Sequence, residues 1–117
     1  MSKRVFSGVV EKGTGRAGRL GFPTINIAVA GAGVSGVYAA KAVVGGKTHY
    51  AAAFADPVRG IVEAFILDFS KNIYGEAATI ELIHKLRDTM QFGTDAELSR
   101  AIAADIQQVR DYFLQHS

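Results

Sequence analysis

Helical periodicity occurs once in this chain, and only at its end. Leu98, Ile102, Ile106, Val109 and Phe113 recur at spacings of four, four, three and four, which places them on one face of a helix of about five turns. Thr94-Asp95-Ala96-Glu97 stands just before them, a capping box in which the threonine accepts from an early helix N–H and the glutamate reaches back. The chain before Thr94 reads as short β-rich runs: Val5 to Val10, Phe22 to Ile27, Gly36 to Val44, Lys47 to Phe54, Ile61 to Phe69 and Ala77 to His84. Gly45-Gly46 separates two of them as a hairpin turn, since both positions adopt positive φ at little cost. Parallel strands need long crossovers, usually helices, and none lies between these runs. This argues against a doubly wound nucleotide fold, which needs helices between its strands. The expectation is an antiparallel barrel with the terminal helix packed outside, its five-residue stripe serving as core.

A chain of 117 residues with 49% hydrophobic and 21% charged positions suits one globular domain, expected over 1–117. It has no cysteine, and His49, His84 and His116 lack metal-ligand spacing. A net charge of +2 with no basic, aromatic-studded run does not point to nucleic acid. No stretch approaches the roughly 20 apolar residues of a membrane span, and no apolar stretch follows the basic start, Met1-Ser2-Lys3-Arg4, as in a signal peptide. A cytoplasmic monomer acting on small molecules is expected.

Gly13-Thr14-Gly15-Arg16-Ala17-Gly18 matches G-x-G-x-x-G, but Arg19-Leu20-Gly21-Phe22-Pro23 is poor material for the helix that a dinucleotide fingerprint must open. Glycines still let backbone N–H groups approach an anion, and Arg16 and Arg19 add charge. A plain surface loop is the alternative.

The string from Gly15 through Arg19-Leu20-Gly21-Phe22-Pro23-Thr24-Ile25-Asn26, with Gly8-Val9-Val10 before it, resembles the opening signature of riboflavin kinases, which also form the C-terminal half of bacterial bifunctional FAD synthetases. Gly36-Val37-Tyr38-Ala39, Val62 to Phe69 with Ile73-Tyr74-Gly75, and Leu86-Arg87-Asp88 with Phe92 resemble later parts of that family. The resemblance implies a mainly β fold, a six-stranded antiparallel Greek-key barrel with a C-terminal α-helix. It implies transfer of the ATP γ-phosphate to the riboflavin 5′-hydroxyl, giving FMN and ADP, with Mg²⁺. Thr24 and Asn26 would bind phosphates and metal, Glu63 would be the base, and Gly15, Arg16, Gly18, Arg19, Gly21, Phe22 and Pro23 would line the nucleotide. Arg87 and Phe92 would lie on the flavin side.

The residue types suit that chemistry. Phosphoryl transfer asks mainly for positioning and charge neutralisation. Thr24 and Asn26, two apart on a strand, face one side and offer hard oxygens of the kind Mg²⁺ takes. Glu63 shares a strand face with Phe65 and Leu67, away from Val62, Ala64 and Ile66. Each residue also has a plainer reading: a turn-closing pair for Thr24 and Asn26, an outward charge on an edge strand for Glu63, and an ion pair with Asp88 or Glu81 for Arg87. The chain departs from the family in two places. Only Ala51 to Val62 joins the strand of Tyr50 to that of Glu63, where the family has a longer substrate-covering loop, and Thr89 stands where an acid is expected after Arg87-Asp88. The short loop motivates a second reading, a flavin- or nucleotide-binding module without turnover. No adenylyltransferase half is present in these residues, so the reaction is expected to stop at FMN.

Overall fold

Alternating burial along β-rich runs produces one curved sheet, and the single helical stripe closes over part of its outer face. The computed structural model describes residues 4–12, 15–29 and 33–116. The strands are β1 (Arg4–Val9), β2 (Ile25–Ala28), β3 (Gly36–Val44), β4 (Lys47–Asp56), β5 (Ile61–Ile66) and β6 (Ala77–Arg87). They pair in the order β1-β6-β3-β4-β5-β2, antiparallel throughout the described residues. β3, β4 and β5 form a meander, and β2 returns beside β5, which is a Greek key. Among the described residues, two helices accompany the sheet, α1 (Arg16–Arg19) and α2 (Asp95–His116). No helix of the described residues is long and apolar enough to cross a membrane.

The sheet nearly closes on itself. Just past β1, the Glu11 N–H donates to the Asn26 carbonyl at 2.8 Å, and the Asn26 N–H donates back at 3.2 Å. Gly8 permits this approach, because a Cβ there would fall 2.7 Å from Ile27 Cγ2. Ile25 and Ile27 of β2 fill the interior with Val62, Ala64 and Ile66 of β5 and the alternate alanines 51, 53 and 55 of β4. The complementary positions, Ala52, Phe54, Glu63 and Phe65, are only half-buried and face outward.

Turn chemistry sets the register. Gly45 and Gly46 take φ of 57° and 79° and pair Val44 with Lys47 across the hairpin. A Cβ on Gly45 meets nothing within 4 Å, so the cost of Gly45→Ala is the left-handed backbone alone, about 1 kcal/mol. Chemical denaturation is expected to show that loss as a lower midpoint with an unchanged slope. β5 stops at Ile66, short of the expected Phe69, because the chain turns at Asp68 with φ 56°. β6 runs on to Arg87, past the expected His84.

The capping box forms, shifted by one residue on its return arm: Thr94 Oγ1 accepts from the Glu97 N–H at 3.1 Å, and Glu97 Oε2 accepts from the Gly93 N–H at 3.2 Å. Val109 and Phe113 are buried with Ala39 and Leu67, and the Phe113 ring stacks on Tyr50 with centroids 3.9 Å apart. Arg110 forks onto Asp68 at 3.1 and 3.2 Å. The expectation that the whole stripe is core holds for this half only. The other half of the helix stands clear of the sheet, and its half-buried Leu98 and Ile102 become the wall of a cleft.

Candidate active site

The space between the outward face of β4–β5 and the first half of α2 is a cleft of about 470 Å³. Its apolar walls come from Phe54 and Phe65 on the sheet, Leu98 and Ile102 on the helix, and Met90 and Phe92 on the segment joining β6 to α2. Its polar end gathers Thr24, Glu63, Arg59 and Arg16. This is the common make-up of a small-molecule site: apolar walls with a few convergent polar groups.

Antiparallel pairing brings the polar end together. Asn26 lies directly opposite Glu63 in the β2–β5 register, so both side chains project to one face. β5 runs between β4 and β2, so Glu63 is not on an edge strand. Thr24, just before β2, donates its hydroxyl proton to Glu63 Oε2 at 2.7 Å. Its partner is therefore the carboxylate and not Asn26. Asn26 is only 3% exposed, and neither its Oδ1 nor its Nδ2 finds a hydrogen-bond partner. A buried unsatisfied amide is costly and calls for an explanation. Asn26 lines neither cavity, but its hard amide oxygen shares a strand face with the Thr24 hydroxyl and the Glu63 carboxylate, a donor set of the kind Mg²⁺ takes.

The glycine loop differs from its expected form. Residues Arg16 to Arg19 make one helical turn, with the Arg19 N–H reaching the Gly15 carbonyl at 2.9 Å, followed by bonds from the Leu20 and Gly21 N–H groups to the carbonyls three residues back, Ala17 and Gly18, at 3.0 and 3.1 Å. The Phe22 N–H then folds back to the Ala17 carbonyl, and Pro23 ends the turn. A long dinucleotide-type helix has no room to form. Gly13 and Thr14 lie outside the described residues. Arg16 and Ala17 line the cleft, where Arg16 Nε pairs with Asp95 of α2 at 3.2 Å. Phe22 packs edge-on against Phe65, with centroids 6.0 Å apart. Gly18, Arg19 and Gly21 are exposed, and neither they nor Phe22 and Pro23 line the main cleft.

A second recess, of about 240 Å³, opens on the other side of Thr24. Pro23, Ile25, Ile66 and Ile73 line it with Phe69 and Tyr74, and the Tyr74 hydroxyl donates to the Thr24 carbonyl at 3.5 Å. Thr24 thus stands where two cavities meet.

Arg87 closes the far end of the cleft. Its partner is neither Asp88 nor Glu81 through their side chains. Nε and Nη2 each lie 2.8 Å from the Asp105 carboxylate of α2, and Nη1 donates to the Asp88 carbonyl at 3.1 Å. The hydrogen bonds that the guanidinium donates to Asp105 raise its pKa despite its partial burial. Phe92 covers this pair, with Arg87 Cζ 5.7 Å from the ring centroid. Thr89 also lines the cleft.

Sequence reasoning missed Arg59. β4 and β5 are joined by a tight turn over Pro57 to Gly60, and Arg59 projects from it into the polar end. Asp56 builds that turn, accepting on Oδ1 from the Val58 and Arg59 N–H groups at 3.1 and 3.2 Å. Asp-Pro-x-Arg-Gly was legible as a turn, but the direction of its arginine depends on the Asp56 side chain.

Comparison with known proteins bears on the family and the fold. The family model for riboflavin kinase, Flavokinase, matches residues 2–113. Bifunctional riboflavin kinase/FMN adenylyltransferases of Bacillus subtilis and Listeria monocytogenes are 31% and 35% identical over 118 and 116 residues. Each alignment covers 91% of this chain and 37% of the relative, so the chain spans little more than a third of those proteins. The riboflavin kinase from Trypanosoma brucei shares the fold with a TM-score of 0.67 at 22% identity, over 97% of this chain and 82% of its own.

Proposed function

Because the chain belongs to the riboflavin kinase family, we propose that its cleft transfers the γ-phosphoryl group of ATP to the 5′-hydroxyl of riboflavin, giving FMN and ADP. The observation that carries this reading is the Thr24–Glu63 hydrogen bond at the junction of two cavities. Transfer needs two ligands to meet end to end, and this polar junction is where they would do so.

The isoalloxazine ring suits the larger cleft, between Phe92, Leu98 and Ile102. Its ribityl chain then points toward Glu63. The purine suits the smaller recess beside Ile73 and Tyr74, with its phosphates directed past Thr24 under the Gly15 to Gly21 turn. Glu63 accepts a hydrogen bond from the 5′-hydroxyl and turns an oxygen lone pair toward the γ-phosphorus. As the new O–P bond forms, the proton passes to Glu63, and ADP departs with the electron pair of the broken P–O bond. Thr24 holds one carboxylate oxygen and so fixes the direction of the other. The Thr24 hydroxyl oxygen and Asn26 Oδ1 would hold Mg²⁺, which when bound neutralises the phosphate oxygens.

The second reading, binding without turnover, keeps one observation in its favour: the Pro57 to Gly60 turn is too short to fold over the cleft and exclude water. In both readings the ligands are small molecules, and the proposal is that residues 1–117 act as one domain, as a cytoplasmic monomer and without nucleic acid.

Thr24→Ala is expected to weaken Mg²⁺–ADP binding about tenfold, the worth of one bond to a charged group, and to leave riboflavin affinity unchanged. Calorimetric titration checks this; an unchanged ADP affinity would remove Thr24 from the metal site.

A further inference from the structure

The short β4–β5 turn leaves the cleft uncovered, yet it also plants a guanidinium at the reacting end. We propose that Arg59 binds the phosphoryl group in transit, first on ATP and then on FMN; this rests on the kinase reading of the cleft.

The turn presents Arg59 in a fixed pose. Asp56 Oδ1 holds the backbone N–H of Arg59, and Asp56 Oδ2 holds its Nε at 2.6 Å. The Gly60 N–H returns to the Asp56 carbonyl at 2.9 Å, which locks the loop. Partial burial opposes ionisation of Asp56, but the Arg59 side chain and the N–H groups of Arg59 and Val58 outweigh it and hold its carboxyl below the usual range. With Nε engaged, the two terminal amino groups point forward.

One of them, Nη2, lies 3.7 Å from Glu63 Oε1. That is ion-pair range but beyond a good N–H···O hydrogen bond. The two oxygens of Glu63 are thus divided, Oε2 toward Thr24 and Oε1 toward Arg59. A phosphoryl group passing to a hydroxyl held by Glu63 travels between these three side chains. Its equatorial oxygens carry the charge that a planar fork of donors matches. The Arg59 side chain is 39% exposed, so it turns from Glu63 to an incoming phosphate without leaving water. That exchange also releases Glu63 to receive the hydroxyl proton.

The product provides the test, since FMN and riboflavin differ only by the phosphate. Flavin fluorescence titration of wild type, Arg59→Ala and Arg59→Lys reads both affinities with no need for turnover. The expected result for Arg59→Ala is an FMN affinity lowered about tenfold or more, with riboflavin affinity held within about twofold. Arg59→Lys recovers part of the loss, because it keeps the charge without the fork. A purely structural role would weaken both flavins together, and that result, or no change in either, overturns the proposal while leaving the kinase reading intact. A folded wild type that binds neither flavin overturns both.

Discussion

Glu63→Gln lowers the rate of FMN formation by about 10²- to 10⁴-fold, the usual worth of a positioned general base. The amide still accepts the Thr24 proton on its oxygen, so Mg²⁺–ADP and riboflavin affinities stay near those of the wild type. The position favours a polar group, since Glu63 faces the cleft and not the barrel core formed by Val62, Ala64 and Ile66. The loss therefore falls on kcat and not on folding or binding. Steady-state kinetics with a thermal melt as control separates these. An unchanged kcat would mean that Glu63 only orients Thr24.

Asp105→Ala has the largest expected effect on stability. The Asp105 side chain is 8% exposed and that of Arg87 24%, and they share two bonds of 2.8 Å. Removing one partner of a fully buried pair costs roughly 3–5 kcal/mol. Water reaches part of Arg87, so about 2–3 kcal/mol is expected here, or a fall in Tm of about 10 °C for a chain of this size. Phe92 lies over Arg87, so the flavin side of the cleft loosens as well and the riboflavin KM rises. Asp105→Asn keeps one bond and loses less. A melt within about 2 °C of the wild type would mean that α2 is held by Val109, Phe113 and Tyr50 alone.

The parts of the fold that were legible in the sequence depend on local rules. The Thr94 cap, the stripe ending at Phe113 and the Gly45-Gly46 hairpin each follow from a few neighbouring residues. The fate of Leu98 and Ile102 does not: periodicity gives their face, but what lies opposite depends on how far the sheet extends beneath the helix. Ala51-Ala52-Ala53 carries no polar contrast, so its inward and outward positions could not be told apart. The bridge between Glu11 and Asn26 joins distant segments and has no local signal. Asp105 did carry one. At positions 98, 102, 105 and 109 it stands within the apolar face of the helix, and an acid there implies a buried cation. In the site, the Pro-Thr-Ile-Asn string and the alternation around Glu63 pointed to the face of β5 that lines the cleft. The partner of Thr24 and the reach of Arg59 needed the pairing register and the Asp56 turn.

The measurement that bears most directly on the central claim is chromatographic detection of FMN after incubation of the folded protein with riboflavin, ATP and Mg²⁺. The account predicts FMN and ADP in equal amounts, both fading with Glu63→Gln. No FMN from a folded protein that still binds riboflavin and ADP would contradict it, and would make this cleft a binding site without turnover.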